Sequence, residues 1–119
     1  MDLSGPNTDI LLQLMSASTL RHRVIGNNLA NQNVPGFKRQ VVRFEEFVQA
    51  ELKRRAPNLS RLKPEIVVDY ESPSGADGNS VSMEVEVSAL RENRLLFELY
   101  ASILSGQMAM VNSAIHGDR

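Results

Sequence analysis

The segment Asn27-Asn28-Leu29-Ala30-Asn31-Gln32-Asn33-Val34-Pro35-Gly36-Phe37-Lys38-Arg39 constrains this chain more than any other stretch. It closes an amphipathic helix with amide residues and then breaks it. Pro35 lacks a backbone donor and disfavours the α region at Val34, while Gly36 admits a positive φ. The side chains of Asn27, Asn28, Asn31, Gln32 and Asn33 are suited to satisfying backbone carbonyls and N–H groups as the chain turns away. The residues that follow must therefore leave the helix at a set point rather than extend it.

Upstream of that turn the pattern is helical. Leu11, Leu14, Met15, Ser18, His22, Ile25 and Leu29 fall on one face, at the spacing of a 3.6-residue period. The spacing predicts a helix over 7–32, capped by Asn7 or Thr8 and about 35 Å long. Ile10, Leu20 and Val24 lie off the stripe, so the helix needs a second partner surface.

A second amphipathic stretch occupies the C-terminal third. Leu90, Phe97, Leu104 and Val111 recur every seven residues, with Leu96, Ile103 and Met110 in a parallel row. Leu95, Leu99, Tyr100, Met108, Ala114 and Ile115 widen the apolar arc, leaving Arg91, Arg94, Glu98, Ser105 and Asn112 on a narrower polar face. That arc is too broad for a two-helix seam and suits a helix packed among several neighbours. Its start is ambiguous, because Val81, Met83, Val85 and Val87 alternate with polar residues as a strand would.

Between the two helices, 33–55 reads as a turn, then extended chain, then a short helix with a charged end. Residues 56–81 hold Pro57, Pro64, Pro73, Gly75 and Gly78 and one β-like run, Ile66-Val67-Val68. This insert is expected to be flexible, most of all in the linker-like stretch 72–80.

Little in the chain points to chemistry. The 119 residues suit one domain, and 42% are hydrophobic but only 5% aromatic, which favours aliphatic helix seams over an aromatic-lined pocket. Thirteen basic residues against 14 acidic ones leave no electrostatic footprint for nucleic acid. Absent cysteine excludes disulfides and thiolate chemistry. His22 reads as a structural histidine and His116 stands alone. Glu84 and Glu86 are two apart, so they do not face each other on a helix; they read as first-turn acids favoured by the helix dipole. Gly75 and Gly78 lack the flanking elements of a phosphate loop. The cluster Lys53, Arg54, Arg55, Arg61 and Lys63 reads as a solvated loop, and Met108 and Met110 as seam filler. No catalytic, cofactor-binding or metal-ligating residue is predicted, and the chain is not expected to be an enzyme. Met1–Asn7 has no basic n-region or apolar h-region of a cleavable secretory signal, and no run is apolar enough to span a bilayer.

Two blocks carry a family resemblance: Leu29-Ala30-Asn31-Gln32-Asn33-Val34-Pro35-Gly36-Phe37-Lys38, and Asp77-Gly78-Asn79-Ser80-Val81-Ser82-Met83-Glu84-Val85-Glu86 followed by Leu90, Asn93, Leu96 and Phe97. The first resembles the Asn-rich, Pro-Gly-aromatic signature of the bacterial flagellar axial proteins, the rod and hook subunits. The second is similar to a block of the proximal-rod members of that family. Val34 stands where Thr is usual, Ser82 where Asp is usual, and Phe97 where Tyr is usual.

The resemblance implies a mostly α fold. Long N- and C-terminal amphipathic helices would pair as a coiled coil around an irregular, partly β central insert. It favours a helix over 82–116, beginning near Ser82. It implies assembly or motif roles for Asn28, Ala30, Asn31, Pro35, Gly36, Phe37, Asn79, Val81, Asn93, Leu96 and Phe97. Leu11, Leu14, Ile25, Leu29, Leu90, Leu104 and Val111 would form the coiled-coil seam. Ile10-Leu11-Leu12 is a candidate export-recognition segment. The implied partners are further copies of the chain in a helical rod, other rod subunits, the adaptor FliE and the flagellar export apparatus, with no small-molecule substrate and no nucleic acid. The implied place is the basal-body rod across the periplasm, reached by type III export without cleavage. The alternatives are another axial subunit, or a small helical nucleic-acid-binding module using the basic cluster.

Overall fold

Helix α1 spans Pro6–Ala30 in a computed structural model that describes residues 6–117, with side chains from Thr8 onward. The N-terminal signal reading and the Asn7 cap therefore lie outside the described residues or side chains. Thr8 sits inside the first turn and does not cap; its hydroxyl donates to Gln107 Oε1 at 3.2 Å. The helix closes slightly before the expected boundary. Asn31 N donates to the carbonyls of Asn27 and Asn28 at 3.2 and 3.1 Å, and Val34 N to that of Asn31 at 3.1 Å. The tightened turns continue the helix direction without its geometry. Asn31 Nδ2 also donates to Asn27 O at 2.8 Å, satisfying an end carbonyl.

The chain then runs through strand β1 (Gln40–Arg43), helix α2 (Glu45–Leu52), a 3-10 turn (Leu59–Arg61) and strand β2 (Glu65–Val68). β1 and β2 are antiparallel, in register from Gln40 opposite Val68 to Arg43 opposite Glu65. The β-like run expected in the insert is thus a strand, and its partner lies in the segment before the insert. α2 has no side-chain cap; Glu45 and Glu46 occupy its first turn, where acids oppose the positive helix end. Phe44 and Val48 pack on Ala17 in one buried cluster, fringed by Leu14, Leu59 and Leu62. Ala17 is fully buried, and a residue without a longer side chain is what lets the Phe44 ring approach α1. Gln13 Nε2 donates to Leu59 O at 2.7 Å, and Arg21 forks onto Glu45 at 2.7 and 3.1 Å and onto Val42 O at 3.1 Å. The central segment is therefore the second partner that the off-stripe face of α1 requires, and Val24 is buried.

Helix α3 spans Met83–Ile115. Ser82, in extended conformation, caps it by accepting from Val85 N at 3.4 Å, so the alternating run 81–87 is the entry to a helix and not a strand. α3 packs antiparallel on α1. The pairing is marked by Thr8 with Gln107, by Asn93 Nδ2 donating to Ser18 O at 2.8 Å, and by Asn28 meeting Glu86 at 3.2 Å. Glu86, Leu90, Asn93, Tyr100, Leu104, Gln107 and Val111 form its covered line. The molecule is long and flat, 64 × 34 × 15 Å, with a radius of gyration of 18.2 Å. A compact chain of this length would have about 13–14 Å.

Candidate functional site

The two sequence blocks meet in space. Asn79 is buried and its Nδ2 donates to the carbonyls of Asn31 at 2.9 Å and Val34 at 2.7 Å. One side chain from the second block thus satisfies the helix-end carbonyls of the first. Gly36 N donates to Asp77 O at 2.9 Å. Gly36 and Gly78 both have positive φ, +78° and +82°, and a Cβ on Gly78 would stand 3.4 Å from Gly36 Cα. Glycine is favoured at both positions of this crossing for conformation, and the two glycines lie close enough that a Cβ on Gly78 would touch Gly36. Lys38 Nζ donates to Gly78 O at 2.6 Å. Gly75 N donates to Asn79 O, and Gly78 N to Gly75 O, both at 2.9 Å. The linker-like composition of 72–80 here forms a tied turn.

Beneath the crossing lies a buried polar network. Arg39 Nε donates to Glu86 Oε1 and its Nη1 to Asp69 Oδ2, each at 2.6 Å. The Glu86 side chain is wholly buried and that of Arg39 is 10% exposed. Asn28, also wholly buried, donates to both Glu86 oxygens at 3.2 Å and to Gln40 O at 2.8 Å, and its Oδ1 accepts from Gln40 N at 2.9 Å. Arg39 N donates to Ser80 Oγ at 2.8 Å. Burial of Arg39 opposes its charge, but hydrogen bonds to Glu86 and Asp69 outweigh it and raise its pKa. The Ser72 hydroxyl, the Arg39 guanidinium and the backbone N–H groups of Glu71 and Ser72 together hold Asp69 far below the usual carboxylate range. A buried pair of this kind stabilises only when its remaining hydrogen-bonding capacity is met, and no side-chain nitrogen or oxygen of Arg39, Glu86 or Asp69 is fully buried without a partner. The network joins the end of α1, the start of β1, the end of β2 and the start of α3, and so sets how the two long helices leave the joint.

The other predicted positions divide. Asn93 is buried, Phe37, Val81 and Leu96 are half-buried, and Ala30, Pro35 and Phe97 are exposed. Leu11 and Ile25 are buried; Leu14, Leu29, Leu90, Leu104 and Val111 are half-buried. In the apolar N-terminal run, Leu11 is buried and Leu12 exposed. His22 is on the surface, not within an apolar seam. Glu86 is a buried hub and not merely a dipole-favoured acid. Arg39, Asp69 and Ser80 escaped the sequence reading, although Arg39 directly follows the first block and Ser80 and Glu86 lie inside the second. In the basic cluster, Arg54 and Arg61 both reach the buried Glu51, at 3.1 and 3.3 Å, which leaves less of it for an anionic ligand. Among the described residues no group of three His, Cys, Asp or Glu gathers as for a metal.

The second conspicuous surface is on α3. Leu95 is 66% exposed, Leu99 53%, Ile103 42% and Met110 74%, all on the face away from α1. Among the described residues nothing covers them, and no helix among those residues is long and apolar enough to cross a membrane.

A long two-helix body with a tied crossing and an uncovered aliphatic face defines a structural subunit, and residues 15–38 match the family model of flagella basal body rod proteins. The chain is similar to the flagellar basal body rod protein FlgB of Borrelia hermsii, with 31% identity covering 97% of this chain and 99% of that protein. It is 32% identical to FlgB of Aquifex aeolicus over 82% of each chain, and 27% identical to FlgB of Borreliella burgdorferi over 89% and 93%. The chain belongs to the FlgB family of flagellar basal body rod proteins. It is a structural, non-enzymatic component of the flagellar basal-body rod, and rod-family membership supports assembly with other rod components.

Proposed function

We propose that this chain polymerises helically in the proximal rod, forming part of the shaft that carries torque from motor to hook. The observation that carries this reading is the aliphatic face of α3 left open opposite its contact with α1. Aliphatic surface of that extent is completed by neighbours, and head-to-tail contacts that do not close give an open filament. In this reading α1 and α3 pair as a coiled coil through Leu11, Leu14, Ile25, Leu29, Leu90, Leu104 and Val111. The motif residues Asn28, Asn31, Gly36 and Asn79 fix the crossing, while Ala30, Pro35, Phe37 and Val81 serve assembly near it and Asn93, Leu96 and Phe97 farther along α3. The rod stands on the adaptor FliE beneath other rod subunits. The chain reaches its place across the periplasm through the flagellar type III apparatus, with Ile10-Leu11-Leu12 as its recognition segment and no cleaved signal.

Threading and assembly are linked by energetics. Ordering a residue costs about 1–2 kcal/mol of backbone entropy, and apolar burial returns about 25 cal/mol per Å². A helix covered on one side gains less than one packed among neighbours, so the outer part of α3 orders fully only in the rod, and a loosely held helix passes a narrow channel. A deletion strain tests the reading. Loss of flagella, restored by the chain and accompanied by its presence in purified basal bodies, is expected. Normal flagella in the deletion strain, or basal bodies lacking the chain, would overturn it.

A further inference from the structure

We propose that the open edge of β2 is completed by a strand from the next copy, Met1-Asp2-Leu3-Ser4, and that this strand addition links successive copies. The inference rests on the rod reading and assigns one of its contacts. A two-stranded sheet has two edges, and this one treats them differently. The register pairs Val41 with Val67 and Arg43 with Glu65, and Asp69 N donates to Arg39 O at 2.9 Å. The alternate residues Gln40 and Val42 therefore turn their main-chain groups away from β2. Side chains of α1 close that edge. The Asn28 carboxamide accepts from Gln40 N at 2.9 Å and donates to Gln40 O at 2.8 Å, as a neighbouring strand would, and Arg21 donates to Val42 O at 3.1 Å. On β2 the same alternation turns the N–H and C=O groups of Ile66 and Val68 outward, and among the described residues they have no hydrogen-bond partner. Beside them a groove of about 240 Å³ runs between the sheet and α1, lined by Leu20, Val24 and Ile66 with Gln40 at the sheet side. An open edge next to an apolar groove takes an extended segment, held by main-chain bonds and selected by the alternate side chains that enter the groove.

The residues of β2 select against a second β2 on that edge. Antiparallel pairing centred on Val67 sets Glu65 opposite Asp69, centring on Val68 sets Glu65 opposite Glu71, and centring on Ile66 sets Pro64 opposite Val68. Like charges directly opposite destabilise a sheet, and proline forfeits a ladder bond. Met1-Asp2-Leu3-Ser4 alternates apolar and polar residues at the strand period and precedes α1, which opens at Pro6. Laid antiparallel to β2 with Leu3 opposite Ile66 and Met1 opposite Val68, it sets Asp2 opposite Val67 and Ser4 opposite Glu65, so no like charges meet. Leu3 N and O then bond Ile66, and the Leu3 side chain enters the groove beside Leu20 and Val24. The segment cannot fold back onto its own sheet. Leu20, at the near end of the groove, lies about 21 Å along α1 from Pro6, whereas Leu3 stays within about 10 Å of Pro6 even when extended. The strand must come from another copy. Donor segment and acceptor edge are different surfaces of one molecule, so the contact is heterologous and each copy both gives and receives.

The absence of cysteine makes the test direct. Ser4→Cys and Glu65→Cys stand opposite each other in this register, at a non-hydrogen-bonded pair whose Cα atoms are about 4.5 Å apart, within the reach of a disulfide. The two full-length variants are mixed at rising concentration under mild oxidation. The expected product is the mixed dimer, at least tenfold over either same-variant dimer and over the product of Ser4→Cys with Val67→Cys, which is two residues out of register. It should fall tenfold or more when the Ser4→Cys chain also carries Leu3→Pro, which removes the donor to Ile66 O. Circular dichroism of the Leu3→Pro chain checks that the helices are kept. A mixed dimer no more abundant than same-variant dimers, equal yield with Val67→Cys, insensitivity to Leu3→Pro, or predominance of Glu65→Cys pairing with itself would overturn the proposal. A deletion strain separates the two readings. Basal bodies that hold the chain carrying both Ser4→Cys and Glu65→Cys, without disulfide-linked multimers after oxidation, remove the strand contact alone, whereas absence of the unsubstituted chain from basal bodies removes the rod reading.

Discussion

At the scale of single residues, Asp69 gives the joint its acid limit. Its folded pKa lies well below the unfolded carboxylate value, held there by Ser72, Arg39 and backbone N–H groups. A depressed carboxylate contributes stability that is fully present above the unfolded value near pH 4 and lost as pH falls through the folded one. Urea midpoints measured from pH 7 down to 2 should therefore fall below about pH 4, and Asp69→Asn should lower the midpoint at pH 7 and flatten that acid limb. Glu86→Ala leaves Arg39 buried with half its partners gone, and should destabilise by about 3–5 kcal/mol in equilibrium unfolding. Gly78→Val combines a positive φ with contact on Gly36. It should cost about 1–3 kcal/mol and impair swarming more than an exposed control such as Gly26→Ala, where a Cβ meets nothing within 4 Å.

At the scale of elements, legibility followed range. The end of α1 is local, and Pro35-Gly36 announces it in the chain itself, whereas the alternating run 81–87 left the start of α3 open and only the family resemblance favoured Ser82. Pairing of β1 with β2 was hidden, because nothing in Val41-Val42 or Ile66-Val67-Val68 says which run lies beside which. The polar network was hidden for the same reason. Glu86 in a first helical turn has a sufficient local explanation, and only the fold brings Arg39 and Asn28 to it. His22 misled because helical spacing gives a face, while the position of α3 decides which part of that face is covered. The segment leading into α2, expected only as a short helix within 33–55, supplies the clearest core through Phe44 on Ala17. Phe44→Ala should lose about 3–5 kcal/mol, read as a lowered urea midpoint. Paired changes Leu95→Ser and Leu99→Ser, both on exposed positions, should move monomer stability by less than about 0.5 kcal/mol while abolishing motility.

At the scale of the molecule, the joint and the long helices have different debts to their neighbours. The crossing of the two blocks is closed internally by hydrogen bonds and a buried ion network. α3 is covered by α1 along one line and open along the other. Rod subunits of this design would carry a fixed exit angle from the joint and acquire stiffness only when their outer faces meet. Hydrogen exchange on the dilute monomer and on the assembled rod distinguishes these regions most directly. Amides of Gly36, Arg39, Gln40 and Ser80 should be protected in both states. Those from Leu95 to Ile115 should exchange readily in the monomer and slow by about a hundredfold or more on assembly. Strong protection along the whole of α3 in the dilute monomer, unchanged in the rod, would contradict the account.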